Sequence, residues 1–373
     1  MNIGVDLRCL QEPERTGVGE YAFELVTNIL KEDRANRYFL FFNSAGNIEL
    51  PKFDFPNAEI ARFKIPNKFL NLCFLLLRYP KLDRLIAKKF ALNQLDLFFS
   101  PNLNFIALSK NTAHLITVHD LSFEFFPEHF TLKQRIWHFL ANPKRQCKNA
   151  KHIITPSENT RRDVIKYFDI APGRVTTIYP GLSSALKTES PNKINLTSGK
   201  YLLFFGTFEP RKNISALVTA FENLAEEFSD VKLVIAGAGG WKNRGLKKII
   251  KNSKFSDRII LPGYIKDADK KELYKNSLAF IYPSLYEGFG FPVLEAMASG
   301  TPVVTSGRSS LPEITGGSAL LVDPRRSEEI AEAIKKILGS ESMRKDLVEK
   351  GLISAKKFDW NKTAKDWLVL TKH

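Results

Sequence analysis

Short β-branched and aromatic runs alternate along this chain with segments of helical period, and that alternation restricts the fold more than any other feature. In the second half, residues 201–205, 231–236, 259–261, 278–282, 302–305 and 319–322 read as buried strands. Between them, 214–228 and 269–276 read as helices. Strands separated by helices pair in parallel, because a parallel neighbour needs a long crossover connection. In such sheets ligands sit in the crevice at the carboxyl ends of the strands. The first half repeats the theme. Strands are expected at 3–6, 38–42, 97–100, 115–118, 153–155 and 175–179, and helices at 17–31, 68–90, 132–147 and 157–168, with Ser157 as an N-cap.

With 373 residues the chain is long enough for two cores. The stretch 183–199 is rich in Ser, Pro, Asn, Lys and Thr and lacks a period, so it reads as a linker. This predicts an N-terminal α/β domain over 1–185, a C-terminal one over 199–353, and a terminal helical segment over 354–373. No short internal repeat or low-complexity tract interrupts the pattern. Lys and Arg outnumber Asp and Glu by 55 to 40, which favours an anionic partner without choosing among nucleic acid, a phosphorylated ligand and an acidic membrane. Cys9, Cys73 and Cys147 have neither the spacing of a disulfide framework nor that of a metal site, which points to a reducing cytosol. Residues 1–7 lack the pattern of a signal peptide. The most apolar run, 69–77, falls well short of the roughly 20 residues a spanning helix needs, so a cytoplasmic protein is expected.

Four segments carry chemistry. Tyr286-Glu-Gly-Phe-Gly-Phe-Pro-Val-Leu-Glu-Ala-Met297 follows an expected strand and opens a helix. Its glycines let backbone approach a ligand, and the helix N-terminus favours an anion such as phosphate. Glu287 in the loop and Glu295, expected in the first helical turn, can accept hydrogen bonds from sugar or ribose hydroxyls, although acids near a helix start can also simply complement its dipole. Gly206-Thr-Phe-Glu-Pro-Arg-Lys-Asn213 places Arg211 and Lys212 where two cations can neutralise a diphosphate, or form a solvated basic loop. Thr16-Gly-Val-Gly-Glu-Tyr21 is either a phosphate cradle or a capped tight turn. It lacks the full dinucleotide fingerprint, since position 22 is Ala and no strand-end acid follows at the usual distance, which disfavours a nicotinamide enzyme. His119-Asp120 follows an expected strand, where a histidine can hydrogen-bond a sugar hydroxyl or a carbonyl. No Asp-rich metal motif stands in the sequence, and no metal or other cofactor is expected.

Together these segments resemble glycosyltransferase family 4, the retaining GT-B enzymes, nearly end to end, and most of all bacterial mannosyltransferases of O-antigen and related polysaccharides. His119 to Phe123 with Pro127-Glu128, the run Ser309 to Ile314, Leu321 to Pro324 and Phe358-Asp-Trp360 belong to the same pattern. The resemblance implies two Rossmann-like domains facing each other across a cleft, with the last helix crossing back to the N-terminal domain on Trp360 and Trp367. It assigns Gly17 and Gly19 to the diphosphate, His119 to the donor sugar, Arg211 and Lys212 to the diphosphate, and Glu287 to sugar hydroxyls. The backbone of Phe289, Gly290 and Phe291 would line sugar and phosphate, Glu295 would hold the ribose, and Gly263, Tyr264 and Ile265 would meet the base. Many relatives carry Arg directly after the glycine at position 206; this chain has Thr207, and Arg211 is expected to take that charge.

The implied activity is transfer of a hexose, mannose from GDP-mannose first and a UDP-sugar such as UDP-glucose second, to a glycan or lipid-linked saccharide in polysaccharide synthesis. A GT-B nucleotide-sugar epimerase and a basic nucleic-acid-binding protein are the other readings, the second without any recognised binding motif. From Arg62 to Lys89 the chain has eight basic residues against Asp83 alone, interleaved with Phe69, Leu70, Leu72, Phe74, Leu75 and Tyr79. Such a segment suits peripheral contact with an anionic membrane, or a buried helix with a solvated face.

Overall fold

A computed structural model describes residues 1–11, 17–46, 49–187, 199–237, 239 and 244–372. Thr16 and most of the expected linker, 188–198, lie outside the described residues. The chain forms two compact units. The first comprises Met1–Leu121, Lys133–Gly181 and Asp359–His373; the second comprises Ser122–Leu132 and Leu182–Phe358.

The first unit is built on a parallel sheet of β1 (Asn2–Asp6), β2 (Arg37–Asn43), β3 (Ala58–Phe63), β4 (Leu97–Ser100), β5 (Ala113–Thr117), β6 (His152–Thr155) and β7 (Val175–Thr177), in the order β3-β2-β1-β4-β5-β6-β7. The second has β8 (Tyr201–Phe205), β9 (Lys232–Ala236), β10 (Ile259–Gly263), β11 (Ala279–Tyr282), β12 (Val303–Ser306) and β13 (Leu320–Val322), also parallel, in the order β10-β9-β8-β11-β12-β13. Helices cover parallel sheets on both faces, so their central strands are apolar without alternation. Phe39 to Phe42 of β2, Leu202 to Phe204 of β8 and Ala279 to Tyr282 of β11 are all buried. In each unit the strand order reverses at the middle, between β1 and β4 and between β8 and β11, which opens a crevice at the carboxyl ends there.

Two expected helices are broken. The segment 68–90 forms Asn67–Leu76 and Leu82–Lys89, because Pro80 lacks the N–H a continuous helix requires. The segment 132–147 forms Leu132–Ala141 and Pro143–Asn149; Asn142 turns left-handed at φ 47° and accepts from Arg145 N at 3.0 Å, and Pro143 starts the second helix. Ser157 caps Glu158–Phe168 as its sequence position suggests, accepting from Thr160 N at 3.1 Å.

The terminal helix Trp360–Thr371 packs on Gly17–Glu32 inside the first unit. Trp367 is fully buried with its ring 5.0 Å from Phe99, and Trp360 lies 5.8 Å from Tyr21. Thr363 donates to Tyr179 O at 2.7 Å. The chain that leaves β7 passes so close that a Cβ on Gly181 would stand 2.3 Å from Trp360 N, which leaves room only for glycine.

Candidate active site

The second unit assembles a buried charge cluster at its strand reversal. β8 and β11 are neighbours, so the loops that leave their carboxyl ends run side by side and are joined by Leu285 N donating to Arg211 O at 2.8 Å. After β8 a single turn, Pro210–Lys212, precedes the helix Ile214–Ala225. Asn213 makes the junction in the left-handed region at φ 56°, which Asn tolerates, and its amide donates to Pro283 O and Pro324 O. The loops after β8, β11 and β13 are thereby tied to one side chain.

This framework turns Arg211 and Lys212 toward Glu287. Lys212 Nζ donates to Glu287 Oε1 at 2.6 Å and to the Tyr282 hydroxyl at 2.5 Å. Arg211 Nη1 donates to Glu287 Oε2 at 2.9 Å, while its Nε donates to Glu209 at 2.8 Å. Two cations and two carboxylates thus share one largely buried cluster. Burial lowers the pKa of Lys212, aided by the Arg211 charge and opposed by Glu287 and Glu209. Burial pushes Glu287 the other way, but Arg211 and Lys212 prevail and hold its carboxyl down at about 2. Burial, with Glu287 adding to it, keeps the Tyr282 phenol far above its ordinary value. Tyr282 stacks on Phe280 at 5.6 Å and on Phe204 at 5.7 Å, which fixes the phenol beneath the ammonium.

The Glu287 loop is braced from the next strand. Ser310 Oγ donates to Glu287 O at 3.0 Å and to Phe289 O at 2.7 Å, and Ser309 Oγ accepts from Glu287 N at 3.0 Å. Gly290 caps the helix Phe291–Ala298 at φ 114°, a conformation that favours glycine, so Phe291 and Pro292 open the helix. Glu295 is therefore its fifth residue and lies in the second turn, not the first as the spacing suggested. Its buried carboxylate accepts from Tyr274 OH at 2.9 Å. Gly263 ends β10; Tyr264 beside it is 54% exposed and Ile265 is buried. The structure thus interlocks Arg211, Lys212 and Glu287 directly, sets Phe289, Gly290 and Phe291 on the same braced loop, and holds Glu295 through a separate partner.

Gly17, Gly19 and His119 belong to the first unit. Gly17 opens the helix Gly17–Glu32 after β1, at that sheet's reversal. His119 follows β5, its ring edge-on to Tyr21 at 4.7 Å. Its Nε2 lies 2.8 Å from Pro101 O. A carbonyl only accepts, so Nε2 carries the hydrogen, and burial lowers the pKa of the ring below its ordinary value. In the neutral ring Nδ1 is an acceptor, suited to a hydroxyl donor.

Sequence reasoning gave no role to Glu209, Tyr282, Ser309 or Ser310. The first and last two lie within quoted motifs, whereas Tyr282 looks like any buried strand residue. Among the described residues no three His, Cys, Asp or Glu side chains stand together as a metal site, and no helix is long and apolar enough to cross a membrane.

Comparison with known proteins places this geometry. The family model for glycosyltransferase family 4 matches residues 16–185, and that for group 1 glycosyl transferases matches 187–352. O-antigen chain mannosyltransferase B of Escherichia coli is 30% identical over 92% of this chain and 93% of its own length. O-antigen chain mannosyltransferase RfbU of Salmonella typhimurium is 27% identical over 62% of each chain. Among solved structures, sucrose-phosphate synthase of Thermosynechococcus elongatus superposes with a TM-score of 0.79 at 19% identity, covering 100% of this chain and 98% of that one. Anabaena HepE in complex with UDP and glucose superposes at 0.72 and 18% identity, covering 100% and 99%. The fold is that of the GT-B enzymes.

Proposed function

This chain belongs to the family 4 glycosyltransferases, and on that premise we propose that it transfers mannose from GDP-mannose, with retention of anomeric configuration, to a glycan or lipid-linked saccharide of a cell-surface polysaccharide. The observation that carries the reading is the buried pairing of Arg211 and Lys212 with Glu287 at the carboxyl ends of β8 and β11. When the bond between the anomeric carbon and the β-phosphate oxygen breaks, negative charge gathers on the diphosphate and positive charge on the ring. Preorganised cations lower the energy of the first, and a carboxylate beside the sugar suits the second. In this reaction the acceptor oxygen bonds to the same face that the phosphate leaves, and its proton passes to the departing phosphate. No metal ion is assigned; Arg211 and Lys212 carry the leaving charge.

Glu287 then holds sugar hydroxyls, and the backbone of Phe289, Gly290 and Phe291 lines sugar and phosphate. Glu295 faces the ribose, and Tyr264, with Gly263 and Ile265, the base. For His119, Gly17 and Gly19 the roles remain those implied by family resemblance. Mannose is favoured because the O-antigen relatives are named as mannosyltransferases. A UDP-sugar is the second reading, since HepE is described with UDP and glucose.

Thermal shift with GDP and UDP separates the two donors, because a ligand that binds only the folded state raises its melting temperature by mass action. A larger shift with UDP would overturn GDP-mannose. Nucleotide release from GDP-mannose, with a membrane extract as acceptor and NMR of the product anomer, tests transfer and retention; a β-linked product would overturn retention.

A further inference from the structure

In the first unit, the helices Asn67–Leu76 and Leu132–Ala141 send their inner side chains into one core. Leu70 and Phe74 of the former join Ala141 of the latter in a buried cluster, with Trp137 packed against it. The link runs through Phe105 and Arg8: Trp137 meets Phe105 at 5.6 Å, Arg8 donates to Phe105 O at 2.8 Å, and Arg8 lies over Phe74 at 5.9 Å. Several outer side chains are apolar as well. Phe69, Leu72, Leu76 and Leu77 are at least half exposed, and Phe139 is 81% exposed, with Ile136 one turn before it. An exposed apolar surface of this kind marks an interaction site.

The charges around it narrow the partner. Lys68, Arg78 and Arg84 are exposed in the first segment, and Lys133, Arg135 and Lys144 in or just after the second. The acid of the first segment, Asp83, is buried and accepts from Ser109 N and Thr112 Oγ1, and residues 132–148 contain no acid. A second copy would set these cations against their own kind. An anionic lipid surface complements them and takes up the apolar side chains between them.

We propose that the outer faces of Asn67–Leu76 and Leu132–Ala141 together form a docking surface for an anionic phospholipid bilayer. The proposal extends the reading that the acceptor can be lipid-linked, and adds a second helix that sequence inspection of the first did not reveal. Its test is partition of the full chain onto phosphatidylglycerol/phosphatidylcholine vesicles and onto phosphatidylcholine alone. The expected result is binding to the anionic vesicles, weakened by salt and reduced at least tenfold in the Leu76→Ser, Phe139→Ser double variant at unchanged melting temperature. Should that variant melt early, Lys68→Glu with Arg135→Glu disturbs no buried side chain and is expected to weaken binding about fivefold per cation removed, or more.

Equal partition onto both vesicle types, or variants that bind like the parent, would overturn the proposal. So would self-association that the variants abolish in a protein that binds no vesicles, which would assign the face to a second copy. Nucleotide release without vesicles is read in parallel. A chain that partitions but turns over no nucleotide-sugar defeats the transferase reading alone; one that turns over but does not partition defeats the docking surface alone.

Discussion

Lys212 and Glu287 come from the loops of two adjacent strands and meet at 2.6 Å, with neither side chain more than 8% exposed. Removing one member of such a pair leaves a buried charge without its counterpart, which costs about 3–5 kcal/mol. Glu287→Gln keeps the shape and loses the charge, stranding Lys212 and Arg211. Denaturant unfolding is expected to show that loss, and nucleotide release to fall by roughly a hundredfold or more. Parental turnover in this variant would remove Glu287 from the reaction.

The same pair sets an acid limit. Glu287 is held at about 2, below the ordinary 4.5. A depressed carboxylate stabilises the fold above its unfolded pKa, and that contribution fades as pH falls through the folded value. The drop corresponds to on the order of 3 kcal/mol. The stability gap between the parent and Glu287→Gln is therefore expected to be level from pH 7 to 5 and to close as pH falls from 4.5 toward 2. A gap independent of pH would show that the fold does not depress the Glu287 pKa.

Tyr282→Phe deletes the hydroxyl 2.5 Å from Lys212 Nζ and keeps the ring stack. Hydrogen bonds to charged groups contribute about 1.5–3 kcal/mol. Turnover is expected to drop about tenfold with little change in secondary structure by circular dichroism. An unchanged rate would make the phenol a packing group only.

Trp367→Ala opens a cavity between the terminal helix and β4. Loss of a buried aromatic costs about 3–5 kcal/mol, so urea unfolding is expected to report a stability lower by that amount. A shift below about 1 kcal/mol would mean that the terminal helix is not anchored there.

Chelation addresses the leaving group. On the proposal that Arg211 and Lys212 stabilise the diphosphate, EDTA is expected to leave turnover unchanged, whereas Arg211→Gln lowers it. Activity lost to EDTA and restored by Mg²⁺ would transfer that role to a metal.

Much of this was readable in the sequence because its signals are strong and local. Continuous apolar runs such as 201–205 mark strands buried on both faces, and Gly-Phe-Gly-Phe-Pro marks a helix start beside a strand end. The strand Ala58–Phe63 was not anticipated, because an edge position lets Glu59 and Arg62 interrupt its apolar pattern. Glu295 fell one turn out because the helix starts already at Phe291, directly after Gly290 at positive φ, so that 291–294 fill the first turn. Tyr282 and the Ser309–Ser310 brace depend on which strands lie side by side, and no single segment contains that information.

The terminal helix Trp360–Thr371 has a consequence for how the chain can be divided. It completes a sheet unit whose other residues end at Gly181, so head and tail are one folding module separated by nearly half the sequence. A fragment cut at the junction near 181 exposes the helix Gly17–Glu32 where its partner should lie. Chimeras with a relative will keep their packing only when the head of one parent travels with its own tail.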